Sequence, residues 1–358
     1  MAKVGRARRV VISGYIGFSN FGDDAIFSIL TRWLKGQGLE IRALSSDPDL
    51  TERDFSVKAF KYNSPAAVFR AFKGTDTLIS GGGSLLQNTT SNKSLIYYLL
   101  IILFAKLLGK KVVIFAQGIG PIKGAFRGAF WQALTRFVLR LCDIVTVRNS
   151  FSQRLLSKWG IESELVCDPV YECVSPQDSS AGDEPAMISP TMATCGKAAQ
   201  EQNTIGVQLR PCKSLHPDFV KNLANAIATH FPNRKIRVFA FQNNMDEKIC
   251  AEFLEHLRVI SPEISAGIVK YQSIEQIERD FSELEYLFAM RFHACLLGLK
   301  SGIKTLPLSY DEKVTNLAQD FGFPYVDVSE PFEFIMPPLP PLQEKKFNWS
   351  HLEDFLIR

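Results

Sequence analysis

The sequence DTLISGGGSLLQNTTSNKSLIYYLLIILFAKLLGKKVVIFAQGIGP (76–121) predicts a strand, a glycine loop, a long apolar helix and a second strand. Both strand segments carry β-branched and other apolar residues, and both run into glycine. Strands rich in valine and isoleucine that are each followed by a helix predict a parallel sheet covered on both faces. This stretch therefore predicts an α/β fold.

The same alternation continues on both sides of this stretch. In the first half, further strands are predicted at 8–14, 41–47 and 143–149, and further helices at 23–38, 65–74 and 126–141. In the second half, strands are predicted at 204–211, 235–242, 266–271 and 286–290, and helices at 217–230, 246–258 and 273–282, with one more after 293. A chain of 358 residues is longer than one ordinary hydrophobic core accommodates, so two domains are expected.

Residues 172–203 interrupt the alternation. This segment is rich in Ser, Pro, Ala and Gly and has no periodicity, which is typical of a linker or an exposed insertion. We therefore predict an N-terminal Rossmann-like domain (1–171), the linker (172–203), a C-terminal Rossmann-like domain (204–335) and a Pro-rich segment with a final helix (336–358). The two domains are expected to face a cleft, with ligands beyond the carboxyl ends of the strands.

Composition limits the class of protein. The formal net charge of +4 is too mild for a dedicated nucleic-acid binder. The seven cysteines are scattered without a CxxC pair, which favours reduced thiols in a cytoplasm over disulfides or a metal site. A basic segment (Lys3, Arg6, Arg8, Arg9) follows Met1, and the strand-like run after it is far too short for the apolar region of a secretory signal. The apolar run 95–105 is shorter than the roughly 20 residues that span a bilayer, so we expect at most peripheral contact with the inner face of the membrane.

Two of the glycine loops begin at strand ends in the first half. The loop SGYIGFSNFGDDA (13–25) matches neither a dinucleotide fingerprint nor a Walker loop. Its Gly14, Asn20, Asp23 and Asp24 suit sugar hydroxyls, whereas the alternative for Asp23 is helix capping. In the loop SGGGSLLQN (80–88), a backbone of consecutive glycines can approach a ligand closely.

The candidate acceptor-binding residues of the second and third loops are Gly82, Gly83, Gln87 and Gln117. Gln117 places a polar group at the tip of the strand in FAQGIGP (115–121). The alternative for the glycine run is a tight turn that binds nothing.

Four cations follow strand ends or lie at equivalent edges: Arg148, Arg210, Arg291 and Lys313. Together they suggest convergent binding of a small polyanion, because arginine forks match carboxylate and phosphate oxygens. His293 lies two residues after Arg291, where a buried strand gives way to a helix. The alternative for His293 is a satisfied buried histidine, but a nearby cation would depress its pKa and favour proton transfer near neutrality.

Several motifs occur together and in order along nearly the whole chain. GYIGFSNFGDDA, ISGGGSLLQNTTSNKSLIYYL, AQGIGP, VTVRN, CDPV and MRFHACLLGLKSGIKTLPLSYDEKV resemble polysaccharide pyruvyl transferases, in particular the CsaB-like bacterial cell-wall branch. Two features depart from the family pattern. The first loop ends Gly22-Asp23-Asp24 where the family usually has Gly-Asp-Glu, and the linker is longer than is typical.

The resemblance implies a fold similar to GT-B glycosyltransferases and transfer of a pyruvyl group from phosphoenolpyruvate to a sugar, forming a cyclic ketal. It implies no metal or nucleotide cofactor; phosphoenolpyruvate is a co-substrate. His293 and Arg291 are then the expected catalytic residues, with Arg148, Arg291, Lys313 and Arg210 on phosphoenolpyruvate. The N-terminal domain is expected to bind the acceptor, which is a free or lipid-linked sugar, and Arg148 is expected to cross the cleft.

Two other functions stay open from the residues alone. One is a GT-B glycosyltransferase that uses a nucleotide sugar, with Arg210 and Lys213 on a diphosphate. The other is a non-catalytic sugar-binding protein of an envelope pathway, for which substitution of His293 would leave ligand affinity intact.

Overall fold

A computed structural model describes residues 8–88, 91–123, 126–172, 203–340 and 347–357. Most of the predicted linker (172–203), part of the 336–358 segment, and Lys3 and Arg6 of the basic segment lie outside these residues. The described chain divides into two compact units. The first contains residues up to Phe18, Asp23–Pro169 and the C-terminal residues 347–357, and the second contains Ser19–Gly22 and residues from Val170 to 340.

The first unit is built on a seven-stranded parallel sheet. Its strands are β1 (Arg9–Ser13), β2 (Glu40–Ser45), β3 (Lys58–Lys61), β4 (Thr77–Ser80), β5 (Lys111–Gln117), β6 (Ile144–Val147) and β7 (Glu164–Leu165). The helices between them are α1 (Phe21–Gly36), α2 (Pro48–Phe55), α3 (Pro65–Phe72), α4 (Asn92–Leu107), α5 (Phe126–Leu139) and α6 (Ser150–Lys158). The strand order is β3-β2-β1-β4-β5-β6-β7.

This strand order divides the helices of the first unit into two layers. The chain runs outward from β1 to β3, then returns to β4 and continues in the opposite direction to β7. Right-handed crossovers therefore place α1 and α2 on one face of the sheet and α3 to α6 on the other. On the second face, Phe72, Leu99, Leu139 and Leu156 share one buried cluster with side chains of β4, β5 and β6.

The second unit repeats the architecture with a six-stranded parallel sheet. Its strands are β8 (Thr204–Gln208), β9 (Lys235–Ala240), β10 (Ala266–Lys270), β11 (Leu284–Ala289), β12 (Lys304–Ser309) and β13 (Val326–Asp327). The helices are α7 (Phe219–His230), α8 (Asn243–Ile260), α9 (Ile274–Ser282), α10 (Phe292–Lys300) and α11 (Glu312–Asp320). The order β10-β9-β8-β11-β12-β13 places β8, β11 and β12 side by side, above a core that contains Phe219, Phe253 and Phe288.

The final helix, α12 (Ser350–Ile357), belongs to the first unit. Aromatic side chains that precede it pack on that unit: Trp349 stacks on Trp33 with 4.7 Å between ring centroids. Phe347 packs on Phe115 of β5 at 5.2 Å. The C-terminal residues are thus fixed by side-chain packing to elements far earlier in the sequence.

The predicted α/β class is confirmed, since each unit has a parallel sheet with helices between its strands. The sequence prediction omitted α2, β3, α6, β7, β12, α11 and β13. Several of these are short, and β3, β7 and β13 lie at or next to sheet edges, where exposure weakens the apolar run. Helix α2 (PDLTERDF) is mostly polar, and its signal is instead the N-cap Asp47, which accepts a hydrogen bond from Leu50 N.

Candidate active site

Three of the predicted cations lie at the carboxyl ends of neighbouring strands in the sheet of the second unit. Arg210 follows β8, Arg291 follows β11, and Lys313 follows β12 within the first turn of α11. These three strands are parallel neighbours, so their carboxyl ends lie together. The strand order, which the sequence does not predict, thus brings together residues from three separate segments.

Arg291 is oriented by a buried carboxylate. Its Nε donates to Asp246 Oδ2 at 2.7 Å, and its Nη2 donates to Asp246 Oδ1 at 2.6 Å. Asp246 is fully buried in the first turn of α8, and Arg291 is 9% exposed. This side-on, two-point contact fixes the plane of the guanidinium.

Glutamines complete the surroundings of Arg291. Gln208, at the end of β8, accepts from the Arg291 backbone N–H at 2.7 Å, and Gln242 accepts from Nη2 at 3.1 Å. Nη1 makes no hydrogen bond to the described residues, so one end of the fork is left for an anion. The net positive charge at this site is nevertheless lower than the sequence indicated, because Asp246 already offsets the charge of Arg291.

Tyr310 connects the other two cations. Arg210 Nη1 donates to the Tyr310 hydroxyl at 2.7 Å, and its guanidinium lies 4.4 Å from the ring centroid. Lys313 Nζ lies 5.2 Å from the same ring and 3.2 Å from Asp311 Oδ2. Arg210 makes no ion pair with the described residues, and its buried Nε has no hydrogen-bond partner there. Arg210 is therefore an uncompensated cation at this edge.

Lys313 keeps its proton despite being only partly exposed. Burial lowers the pKa of its ammonium, but Tyr310 and Asp311 oppose that effect, and the net pKa lies above the ordinary lysine value. Lys313 is thus a positive charge throughout the physiological pH range.

His293 lies in the first turn of α10, and its ring is in contact with a glycine of the first loop. A Cβ placed on Gly22 would lie 1.9 Å from His293 Nδ1 and 2.5 Å from Cγ. Only a residue without a side chain fits at position 22 with the imidazole in this position. The last glycine of the motif GYIGFSNFG therefore serves the packing of His293, a role that its sequence position did not reveal.

In the first unit, the consecutive glycines pack against the start of α1. A Cβ on Gly82 would lie 2.7 Å from Ile26 Cγ2, and a Cβ on Gly83 would lie 2.7 Å from Asp23 Oδ1. Gly83 also has a φ of +94°, which disfavours other residues. Helix α1 begins at Phe21, so Asp23 lies inside the first turn and not at the capping position.

Gln117 and Arg148 lie at neighbouring strand ends of this unit. Gln117 is fully buried, and its Nε2 donates to the carbonyl oxygens of Ser80 and Gly81, both at 3.1 Å. Arg148 Nη1 donates to Asp168 Oδ2 at 2.5 Å, and its Nη2 donates to Ser84 Oγ at 3.1 Å. Gln117 thus supports the glycine loop, and Arg148 is fixed by a buried carboxylate, as Arg291 is.

The other predicted acceptor residues are placed as follows. Gly14 directly follows β1, and Asp24 is 6% exposed in the first turn of α1. Gln87 is half-buried beyond the glycine run, and Asn20 forms an isolated bridge with Gln242 in the second unit. The first loop therefore contributes residues to both units. The roles of all these residues in binding stay predictions.

Sequence reasoning missed the residues that position the cations: Asp246, Gln208, Gln242, Tyr310 and Asp168. An aspartate in the first turn of a helix is ordinary by itself, because it complements the helix dipole. Asp168 stands in the quoted motif CDPV, so the motif was a signal for it. Gln208 ends a fully buried strand, and that polar end was a usable signal as well.

Comparison with known proteins adds a family and a fold. A family model described as polysaccharide pyruvyl transferase matches residues 20–312. None of the curated protein sequences compared matches this chain.

Solved structures resemble the chain at low sequence identity. UDP-GlcNAc 2-epimerase from Methanocaldococcus jannaschii has a TM-score of 0.59 at 10% identity, covering 90% of this chain and 89% of its own. A putative UDP-N-acetylglucosamine 2-epimerase from Listeria monocytogenes has 0.57 at 9%, covering 88% and 83%. The Neisseria meningitidis UDP-GlcNAc 2-epimerase bound to UDP-GlcNAc has 0.56 at 10%, covering 86% and 85%. The predicted GT-B-like class is therefore confirmed.

Proposed function

The chain belongs to the polysaccharide pyruvyl transferase family, and we propose that it transfers a pyruvyl group from phosphoenolpyruvate to two hydroxyls of a sugar. The product is a cyclic pyruvate ketal, and inorganic phosphate is released. The acceptor is a sugar of a cell-envelope polysaccharide or of its lipid-linked precursor.

The cation group at the carboxyl edge of the second sheet is the observation that supports this proposal. Arg210, Arg291 and Lys313 are arranged on adjacent strand ends, and Arg210 lacks an ion-pair partner among the described residues. Phosphoenolpyruvate carries a carboxylate and a phosphate, so it needs several cations close together. The free Nη1 end of Arg291 and the guanidinium of Arg210 suit these oxygens.

His293 is the proposed acid in this reaction. Protonation of C3 of the enol converts the methylene to a methyl group and leaves an oxocarbenium-like centre at C2. One sugar hydroxyl attacks C2 and loses its proton, and phosphate leaves with the C2–O bond electrons. The second hydroxyl then attacks C2 and closes the ketal, and its proton goes to the departing phosphate. Preorganised cations stabilise the charge that develops on the leaving phosphate.

The first unit is the proposed acceptor side. Asp23 and the backbone of Gly83 approach each other beside the glycine loop, which offers carboxylate acceptors and amide donors for sugar hydroxyls. Asn20, Asp24, Gln87 and Gln117 are proposed to assist, Gln117 by holding the loop through its contacts with Ser80 and Gly81.

Phosphate release from phosphoenolpyruvate tests the proposal. We would offer acceptors that contain N-acetylmannosamine, galactose or glucose, and compare His293→Ala and Arg291→Ala with the unaltered protein. We expect release that depends on an acceptor and falls by at least about 100-fold in His293→Ala, since a general acid contributes roughly that much. A fall of about the same size is expected in Arg291→Ala, because a preorganised donor that stabilises developing charge contributes about 100-fold or more. If no acceptor gave phosphate release and the protein did not bind phosphoenolpyruvate, then phosphoenolpyruvate would not be the donor.

A glycosyltransferase that uses a nucleotide sugar is the second candidate. One of the structures with a similar fold, an epimerase, has UDP-GlcNAc bound, so this fold is compatible with a nucleotide-sugar ligand. Calorimetry separates the candidates, because binding of a UDP-sugar without binding of phosphoenolpyruvate would favour the glycosyltransferase. A non-catalytic sugar-binding function would be favoured if His293→Ala left both acceptor affinity and cellular function intact.

A further inference from the structure

Four consecutive helices of the first unit carry no acidic residue. Helices α3, α4, α5 and α6 contain seven Lys or Arg residues and no Asp or Glu. All four lie in one layer on the same face of the sheet, so their outer sides point in the same direction. By contrast, α1 and α2 on the opposite face carry acidic residues in their first turns. We call the outer side of α3 to α6 the cationic layer.

The outer stripe of α4 is apolar where a surface helix would normally be polar. Lys93, Leu100 and Leu107 are spaced by seven residues and lie on one side of the helix. Leu100 is 57% exposed and Leu107 is 84% exposed, while Leu95, Leu99 and Ile102 on the inner side are buried. Helix α4 is therefore apolar on both its inner and its outer sides, which packing on the sheet alone does not require.

Aromatic residues extend this apolar surface across the neighbouring helices. Phe130 and Phe137, seven residues apart on α5, are 60% and 55% exposed, and Phe69 on α3 is 57% exposed. Among the phenylalanines whose side chains the structure describes, only these three have large exposure. Exposed leucine and phenylalanine side chains thus recur on three helices of one layer, among lysines and arginines.

We propose that the cationic layer is a docking surface for an anionic lipid bilayer. Leucine and phenylalanine side chains would enter the boundary between head groups and acyl chains. The exposed Lys93 of α4 would meet the lipid phosphates, together with the exposed Lys73, which is the C-cap residue directly after α3. Long basic side chains suit this position because their stems can lie along apolar surface while the charge stays hydrated. No helix of the described residues is both long and apolar enough to cross a membrane.

Charge favours a bilayer over a second copy of the chain. A symmetric dimer through this surface would place the same basic residues against each other, with no acidic residue on these helices to pair with them. An anionic bilayer supplies both the apolar phase and the negative charge. The proposal does not depend on the donor chemistry, so vesicle binding and phosphate release can fail separately.

Vesicle sedimentation with Leu107→Glu tests the apolar part. The probes are vesicles of phosphatidylcholine alone and vesicles in which part of it is replaced by phosphatidylglycerol. We expect binding to the anionic vesicles, weakened at least about tenfold by Leu107→Glu, because a buried leucine contributes more than that factor. The control is Val259→Glu on α8 of the second unit, where Val259 is 80% exposed. It should leave binding unchanged.

Charge reversal tests the electrostatic part. We expect Lys73→Glu with Lys93→Glu to weaken binding to anionic vesicles by at least about tenfold, since each basic residue near such a surface contributes roughly a factor of five. The control pair is Lys221→Glu with Lys248→Glu, which are exposed on α7 and α8. Circular dichroism and melting curves would show that all variants fold.

Three outcomes would overturn the proposal. The first is no binding of the unaltered protein to anionic vesicles. The second is equal weakening by the variants and their controls. The third is a dimer in sedimentation velocity that Leu107→Glu dissociates without any vesicle binding, which would assign the surface to a second copy.

Discussion

Arg291 is held by a carboxylate 45 positions away in the chain, and that pair determines how its guanidinium can meet a ligand. Asp246 occupies the Nε and Nη2 side, while Nη1 makes no hydrogen bond to the described residues. At the residue scale, Asp246 is thus a positioning residue for the proposed donor site. Its contribution should be visible in the affinity for phosphoenolpyruvate as well as in stability.

We expect Asp246→Asn to raise KM for phosphoenolpyruvate by at least about tenfold and to lower the free energy of unfolding by about 3–5 kcal/mol, the range for breaking a buried ion pair. The control is Asp280→Asn. Asp280 pairs with Arg237 at 2.7 Å, but Arg237 also has Glu283, and both partners are partly exposed. Steady-state kinetics and thermal melting check both variants. An unchanged KM in Asp246→Asn would contradict the positioning role.

We expect Gly22→Ala to lower kcat by at least about tenfold, because the added Cβ would overlap the His293 ring and move a proton donor out of line. The matched control is Gly36→Ala in the same helix, where an added Cβ has open space and alanine favours the helix by about 0.5–1 kcal/mol. Kinetics with both variants check this. Full activity in Gly22→Ala would show that the position of His293 is not critical.

In a parallel sheet, the carboxyl ends of the strands carry the ligand-binding residues. Two tyrosines of the second sheet each face a basic side chain. Tyr310 accepts from Arg210 beyond the carboxyl ends of β8 and β12, and Tyr286 accepts from Lys304 Nζ at 3.3 Å near the amino ends of β11 and β12. The two pairs are chemically similar, but only the first lies at the edge where parallel sheets bind ligands.

We expect Tyr310→Phe to raise KM for phosphoenolpyruvate about three- to tenfold, since the lost hydroxyl fixes one end of Arg210 through a hydrogen bond worth about 1 kcal/mol. Tyr286→Phe removes the corresponding hydroxyl at the opposite strand ends and should leave KM unchanged. Initial-rate measurements over a range of phosphoenolpyruvate concentrations check the pair. Equal effects of both substitutions would contradict the assignment of the carboxyl edge.

Element prediction from the sequence identified most strongly apolar segments, but it missed the buried strand β12 and several short or polar elements. The strands β1, β4, β5, β8 and β9 were predicted because they are buried runs of β-branched and aromatic residues. Segments such as β7, with two residues, owe their pairing to the neighbouring strand and not to their own composition. Local patterns cannot reveal such elements.

At the scale of the whole molecule, the sequence predicted two α/β units and the family, because glycine loops and strand-end cations recur in order along the chain. Arg291 and His293 were identifiable as candidate site residues, since polar side chains between a buried strand and a buried helix are costly to bury without a binding or catalytic role. Asp246, Tyr310 and the role of Gly22 were not, because they depend on contacts between distant segments. The membership of α12 in the first unit depends on such contacts as well.

The most direct measurement is the fate of phosphoenolpyruvate labelled with carbon-13 at C2, followed by NMR during turnover in heavy water with an accepted sugar. Pyruvyl transfer predicts that the label appears as a quaternary ketal carbon on the sugar, that one deuterium enters each new methyl group, and that phosphate is released in equal amount. Label that remains in phosphoenolpyruvate, or that appears only as free pyruvate, would contradict pyruvyl transfer.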